Sequence, residues 1–246
     1  GFKNKYTHYE LGYDEVMKEK QNYTRYGGVS ISYADGDASY SRGSGDNHSR
    51  AMNFYVTEMG NKGHYLDVVL RFHHIDTNFK MFDENGKKIR GDMHNVGISL
   101  SSEYGRKKMI DDKGWYIEPQ GQLTIGYLGG DNYTTSNGIA VRQGGIRSAL
   151  GRIGFNLGKD IDEKTNIYLK ANLLHEFGGG YHAAMADNSG SRIKIDRSFK
   201  DTWFEYGIGA AFASGKNSHV YFDIERSSGS DFTKDWLWNI GARWSF

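Results

Sequence analysis

Hydrophobic and polar positions alternate along most of the chain. Between Tyr65 and His73, Leu66, Val68, Leu70 and Phe72 fall on one side of the alternation, against Asp67, Val69 and Arg71. Between Trp203 and Ala213, Phe204, Tyr206, Ile208, Ala210 and Phe212 oppose Trp203, Glu205, Gly207, Gly209 and Ala211. The stretch 166–177 sets Ile167, Leu169, Ala171 and Leu173 against Tyr168, Lys170 and Asn172. Strand side chains point alternately to opposite faces, so a period of two held this long predicts long strands with two chemically different faces. Eleven segments follow it, at about 5–19, 23–40, 49–60, 64–79, 92–107, 115–128, 145–158, 164–178, 200–214, 218–229 and 235–246.

Short connections, such as Gly60–Gly63 and Gly158–Lys164, alternate with long polar ones at 80–91, 129–144 and 179–199. Turn chemistry marks the breaks: Asn85-Gly86, Asn137-Gly138, Ser189-Gly190, Ser214-Gly215 and Ser228-Gly229. No helical spacing lasts longer than a turn or two. Two all-β architectures fit: a soluble sandwich or carbohydrate-binding barrel, with the apolar face buried, or a membrane barrel with the apolar face toward lipid. Strand length separates them, because soluble strands are usually about 5–6 residues long and membrane strands about 9–11. The polar faces also carry too many charges for a packed interior, yet Gly and Ala interleave them, which suits a narrow, occupied lumen. The pattern predicts a transmembrane antiparallel β-barrel.

Composition narrows the function classes. Aromatic residues make up 14% of the 246 positions, which argues against disorder. The longest run without a charged residue is Pro119–Gly130, 12 residues, too short for a spanning helix, which needs about 20. A formal net charge of +1 gives no support for a nucleic-acid partner. Without cysteine there is no disulfide framework, thiolate metal site or Cys nucleophile. The opening Gly1-Phe-Lys-Asn-Lys-Tyr6 lacks the apolar core of a signal peptide, so the chain reads either as cytoplasmic or as a mature part of something longer.

The last segment, Asp235–Phe246, puts Trp236, Trp238, Ile240, Ala242, Trp244 and Phe246 on one face and Asn239, Gly241, Arg243 and Ser245 on the other. Aromatics flanking an apolar middle are expected at bilayer interfaces. A final strand that ends the chain in an aromatic residue resembles the signal read by the outer-membrane barrel-assembly machinery, with Ile240, Trp244 and Phe246 as its residues.

The most specific stretch is Trp115-Tyr-Ile-Glu-Pro-Gln-Gly-Gln-Leu-Thr-Ile-Gly-Tyr127. It resembles the central strand motif in the β-domain of classical monomeric autotransporters, the type Va secretion systems. Tyr6–Gly12, Tyr65–Val69, Gly151–Gly158 and Asn239–Phe246 agree with that family, so the resemblance covers almost the whole chain. It implies a single barrel domain over 1–246 in the outer membrane of a Gram-negative bacterium, with twelve strands of which about eleven are present. The first segment resembles the family's second strand, so the pore helix and first strand are expected to lie outside this sequence. An odd strand count would leave an open edge in lipid. The implied role is to anchor the protein and take part in exporting its own upstream passenger through the lumen. The implied partners are the passenger segment, outer-membrane lipid and lipopolysaccharide, and the assembly machinery. The motif also makes physical sense alone, since Pro119 cannot donate to a ladder and a strand holding it needs irregular pairing.

Parity places Glu10, Asp67, Arg71, Glu103, Glu118, Gln120, Gln122, Arg152, Lys170, Glu205, Asp223 and Arg243 on the lumen face. Their mixed signs suit cross-strand pairs that hold the wall in shape. A sharper reading has Asp67, Glu103 and Glu118 taking part in passenger release by intrabarrel Asn cyclisation, as a subset of the family does. No catalytic or cofactor site of its own is expected. His73 and His74 are neighbours on a strand, so they face opposite ways and cannot share a metal ion. Gly178-Gly-Gly180 precedes no helix and is not a phosphate loop. The alternative readings are an outer-membrane enzyme of phospholipase or protease type, for which no compelling Ser–His or Asp–His cluster shows, and a small porin.

Overall fold

The structure is a computed structural model that describes residues 2–213, 218–229 and 233–245. All regular structure among the described residues is β. Eleven long strands follow one another around a single sheet: β1 (Phe2–Lys20), β2 (Tyr23–Tyr40), β3 (Gly43–Gly60), β4 (His64–Phe82), β5 (Lys88–Arg106), β7 (Trp115–Leu128), β10 (Ile146–Asp160), β11 (Thr165–Glu176), β14 (Asp201–Ala213), β15 (Ser218–Ser228) and β16 (Leu237–Trp244). Every neighbouring pair is antiparallel, and the two-residue β6 (Lys108–Met109) continues alongside β7. The segments read from alternation are these strands, with β3, β4 and β5 reaching further into the connections than the pattern indicated.

The faces are inverted relative to a soluble domain. On β2, Val29 and Ile31 are 47% and 59% exposed, whereas Ser30 and Ser32 between and beyond them are 4% and 8% exposed. Asn53, Asn95, Asn172 and Asp223 are likewise buried, while Leu100, Leu123, Ile125, Ile153 and Ile208 stand in the open. The sheet thus curls around its polar face and shows its apolar face outward. That apolar face ends abruptly at the top: on β4, Leu66, Val68, Leu70 and Phe72 give way to His74, Asp76, Asn78 and Lys80. Strands of 18 or 19 residues therefore rise above the apolar band as a polar collar.

Pro119 sits where the ladder between β5 and β7 is interrupted. Pairing runs to Gly105↔Gln120 and resumes in the same register at Lys108↔Ile117. In the gap the Lys107 amide donates to the Gly63 carbonyl at 2.8 Å instead. On the other flank Pro119 faces Phe155 in an unbroken ladder.

The long connections at 129–144 and 179–199 differ from the polar loops expected. They fold into a second sheet of four strands, β8 (Asp131–Thr134), β9 (Ala140–Gln143), β12 (Gly180–Ala186) and β13 (Arg192–Ser198), in the order β13-β12-β9-β8. Strands of four to seven residues are too short for alternation to announce them. Their hairpins use the turn residues at Asn137-Gly138 and Ser189-Gly190, where Gly138 and Gly190 have φ of 87° and 91°. In the second hairpin Asp187 Oδ1 accepts from the amides of Ser189 and Ser191, both at 2.9 Å. The Ser189 hydroxyl, with these amide bonds, holds the Asp187 carboxyl below its ordinary pKa. The small sheet is tied to the collar by Ser136 N to Arg90 O at 2.8 Å and by His94 N to Asp131 Oδ2 at 2.7 Å.

Candidate functional site: the enclosed polar face

Because successive strands are in register, enclosed side chains form horizontal rows. One row runs Thr57, Asp67, Glu103, Gln122, Arg152 across β3, β4, β5, β7 and β10. Thr57 donates to Asp67. Arg152 Nη2 reaches Glu103 Oε2 at 2.5 Å, and the Tyr65 hydroxyl donates to Glu103 Oε1 at 2.6 Å. Gln122 Nε2 donates to Ser101 Oγ at 2.7 Å. Glu118 lies apart from this row, taking bonds from Gln120 at 2.9 Å and Asn156 at 3.1 Å.

The other sequence-selected residues belong to separate groups. Glu10 accepts from Ser30 at 2.6 Å and Asn53 at 3.2 Å. Arg71 reaches Ser32 at 3.4 Å. Lys170 bridges Asp223 at 3.0 Å and Glu225 at 2.8 Å. Glu205 takes Lys234 at 3.0 Å. Arg243 crosses to Asp14 at 2.6 Å. The geometry therefore brings Asp67 and Glu103 opposite each other but leaves Glu118 outside their contacts. Ile240 and Trp244 stand on the outward face of β16, 76% and 67% exposed; Phe246 lies outside the described residues.

Sequence reasoning missed Asp14 and the glycine partners of the tyrosines. Tyr55, Tyr65, Tyr116, Tyr168 and Tyr221 each lie directly across from a glycine on the next strand: Gly28, Gly105, Gly158, Gly209 and Gly241 respectively. The ring lies flat over the glycine, so a Cβ on Gly105 would sit 2.5 Å from Tyr65 and one on Gly158 2.2 Å from Tyr116. Covering a glycine with a cross-strand aromatic restores the packing that a missing side chain forfeits. It also aims the hydroxyls of Tyr55, Tyr65 and Tyr168 at Asp14, Glu103 and Asp223. This accounts for glycines on a face that otherwise carries charge. The signal was a tyrosine at polar parity, but its partner needed the register.

A wall apolar outside, polar inside and bounded by a collar on one side and short turns on the other is that of an outer-membrane β-barrel. The family model for the autotransporter beta-domain matches residues 1–225, and the chain belongs to that family. Among curated relatives, the pertactin autotransporter of Bordetella parapertussis is 32% identical over 251 residues, covering 100% of this chain and 26% of the relative. The probable autotransporter YcgV of Escherichia coli K12 is 28% identical, covering 100% of this chain and 25% of the relative. The chain thus spans about a quarter of the length of these relatives. The solved β-domain of the Bordetella autotransporter BrkA superposes with a TM-score of 0.78 at 23% identity, covering 100% of this chain and 92% of that one. The translocator domain of NalP from Neisseria meningitidis gives 0.74 at 12% identity, covering 100% and 81%. The likeness to these two structures is one of fold.

Proposed function

We propose that residues 1–246 are the translocator domain of a longer autotransporter: they anchor it in the outer membrane and take part in moving its passenger segment through the lumen to the cell surface. The inversion of faces carries this reading. Water-filled or peptide-filled space is the only setting in which Glu103, Arg152, Lys170 and Asp223 belong inside a wall whose outside is Leu70, Ile125 and Phe155. The twelve sequence-selected polar residues then line the passage. Glu10, Glu103 and Glu118 are each engaged by neighbouring donors, which suits a wall that guides a chain better than one that does chemistry on it. Lipid and lipopolysaccharide would meet the apolar band and collar, and the assembly machinery the face of β16 that carries Ile240 and Trp244.

The test is sidedness. A cysteine at Asn137 or Asn188 should react with an impermeant maleimide on intact cells, and a cysteine at Asn61 should not. An epitope inserted ahead of Gly1 in the native reading frame should be reached by antibody on unbroken cells. Reversed labelling would overturn the topology, and an epitope held in the periplasm would sink the export role.

A further inference from the structure

Adjacent His73 and His74 face opposite ways and cannot act together, but the fold gives His74 other company. It brings His74 and Asp76 of β4 to His94 of β5, all on the outward face of the collar above Phe72. Asp76 and His94 are directly opposite in the ladder, and His74 is two residues before Asp76 on the same face. His74 Nε2 lies 2.8 Å and His94 Nδ1 2.7 Å from the same oxygen, Asp76 Oδ1. The three ligand atoms all fall within 4.8 Å of one another, and the two imidazoles stack with centroids 6.3 Å apart.

We propose that His74, Asp76 and His94 bind a divalent transition-metal ion of the zinc class, which clamps β4 to β5 where they leave the membrane. Two imidazole nitrogens and one carboxylate oxygen are the donor types such ions select. Both nitrogens lie beside one carboxylate oxygen, so when they lose their protons all three atoms offer lone pairs at one place on the wall. An ion about 2.0–2.2 Å from each donor needs those donors roughly 3.3 Å apart. That is a small opening of the present 2.7 and 2.8 Å contacts, and the two nitrogens, within 4.8 Å of each other, are brought to it by ring rotation. The His74 and His94 side chains are 42% and 60% exposed, which leaves room for a water as the remaining ligand. Nearby charge is net negative, which favours a cation: Asp92 lies 4.0 Å from His94 Nε2 and Asp131 accepts from the His94 amide, against Arg50 opposite His74 in the ladder. His48, across from Asp76 on β3 and already engaged with Asp35 at 2.7 Å, is the natural control.

The experiment uses the full chain without a histidine tag, refolded in detergent. Calorimetry with Zn2+ should show one saturable ion per chain, and Co2+ at the same site should give the visible absorption of a low-coordinate complex. His94→Gln removes a direct ligand and should weaken Zn2+ binding by about 100-fold or more, since loss of even an outer-shell partner costs about 10–100-fold. Asp76→Asn, which keeps shape and hydrogen bonding, should do the same if His94→Gln impairs folding, and His48→Gln should leave binding intact. No saturable uptake by the wild-type barrel would overturn the proposal. So would uptake that survives both His94→Gln and Asp76→Asn in barrels with unchanged far-ultraviolet dichroism.

Discussion

Arg243, on the last strand, donates from Nη2 to Oδ1 of Asp14, on the first, across 2.6 Å and 229 positions of chain. Among the described residues β1 and β16 share no backbone ladder, and this side-chain pair spans the two edges of the sheet. Tyr55 on β3 donates to the other Asp14 oxygen at 3.2 Å, and the Arg243 guanidinium lies 5.1 Å from the centre of the Tyr26 ring. The clip therefore joins four strands.

Asp14→Asn and Arg243→Gln should each lower the urea midpoint of the detergent-folded barrel. Arg243 is about half exposed, so the coupling from a double-mutant cycle should be no more than about 1 kcal/mol. Zero coupling would reduce the pair to a coincidence of position.

The tyrosine–glycine pairs predict a stronger effect. Gly105→Val pushes a side chain into the Tyr65 ring, 2.5 Å from where its Cβ would lie, and should cost about 1–3 kcal/mol as overpacking does. Adding Tyr65→Ala should recover much of that loss, because the intruding methyls then fill the space the ring vacates. If the double variant is as unstable as the sum of the singles, the ring and the glycine are not packed as described.

Much of this wall was legible from alternation alone. The eleven long strands hold period two for many residues, and turn residues punctuate them, so local pattern and global topology coincide. What stayed hidden depends on register. Nothing local says that Tyr65 will face Gly105 or that His94 will meet Asp76; each pairing is set by strands that start 24 residues apart, at His64 and Lys88. The outer sheet was missed for another reason. Its strands, such as Ala140–Gln143, are too short to show a period. Glu118 was grouped with Asp67 and Glu103 by shared parity, but parity fixes the face and not the height along the strand.

The end of the apolar band on β4 should appear in a depth series. Leu70→Arg places a charge on the outward face within the band and should cost about 2–4 kcal/mol of refolding stability in lipid. Asn78→Arg, on the same face of the same strand within the collar, should cost about 0–1 kcal/mol. Equal losses at the two positions would mean that the bilayer does not end between Phe72 and His74.

The Asp187 turn gives a pH signature. Its carboxyl is held below the ordinary value of 3.8 by the Ser189 hydroxyl first and the Ser191 and Ser189 amides with it. A depressed folded pKa means the bonds help the hairpin above that ordinary value and are lost as pH falls through the folded one. The Ser189 and Ser191 amide resonances should therefore titrate with a midpoint below 3.8. A midpoint above 3.8 would contradict the turn.

The terminal strand tests whether an aromatic surface serves assembly apart from stability. Ile240 and Trp244 project outward from β16, the edge strand, and touch the rest of the barrel mainly through its single ladder with β15. Removing side chains that stand in the open leaves little of the wall's packing undone, so Ile240→Ala with Trp244→Ala should refold into detergent nearly as well as the native barrel. In cells the same pair of changes should lower the amount of inserted barrel and leave precursor in the periplasm for proteolysis, because the surface proposed to be read during insertion is gone. The comparison is between two yields of one variant, with and without the machinery. Equal losses in both settings would show that the two residues act through stability alone, and their part in recognition by the assembly machinery would have to be abandoned.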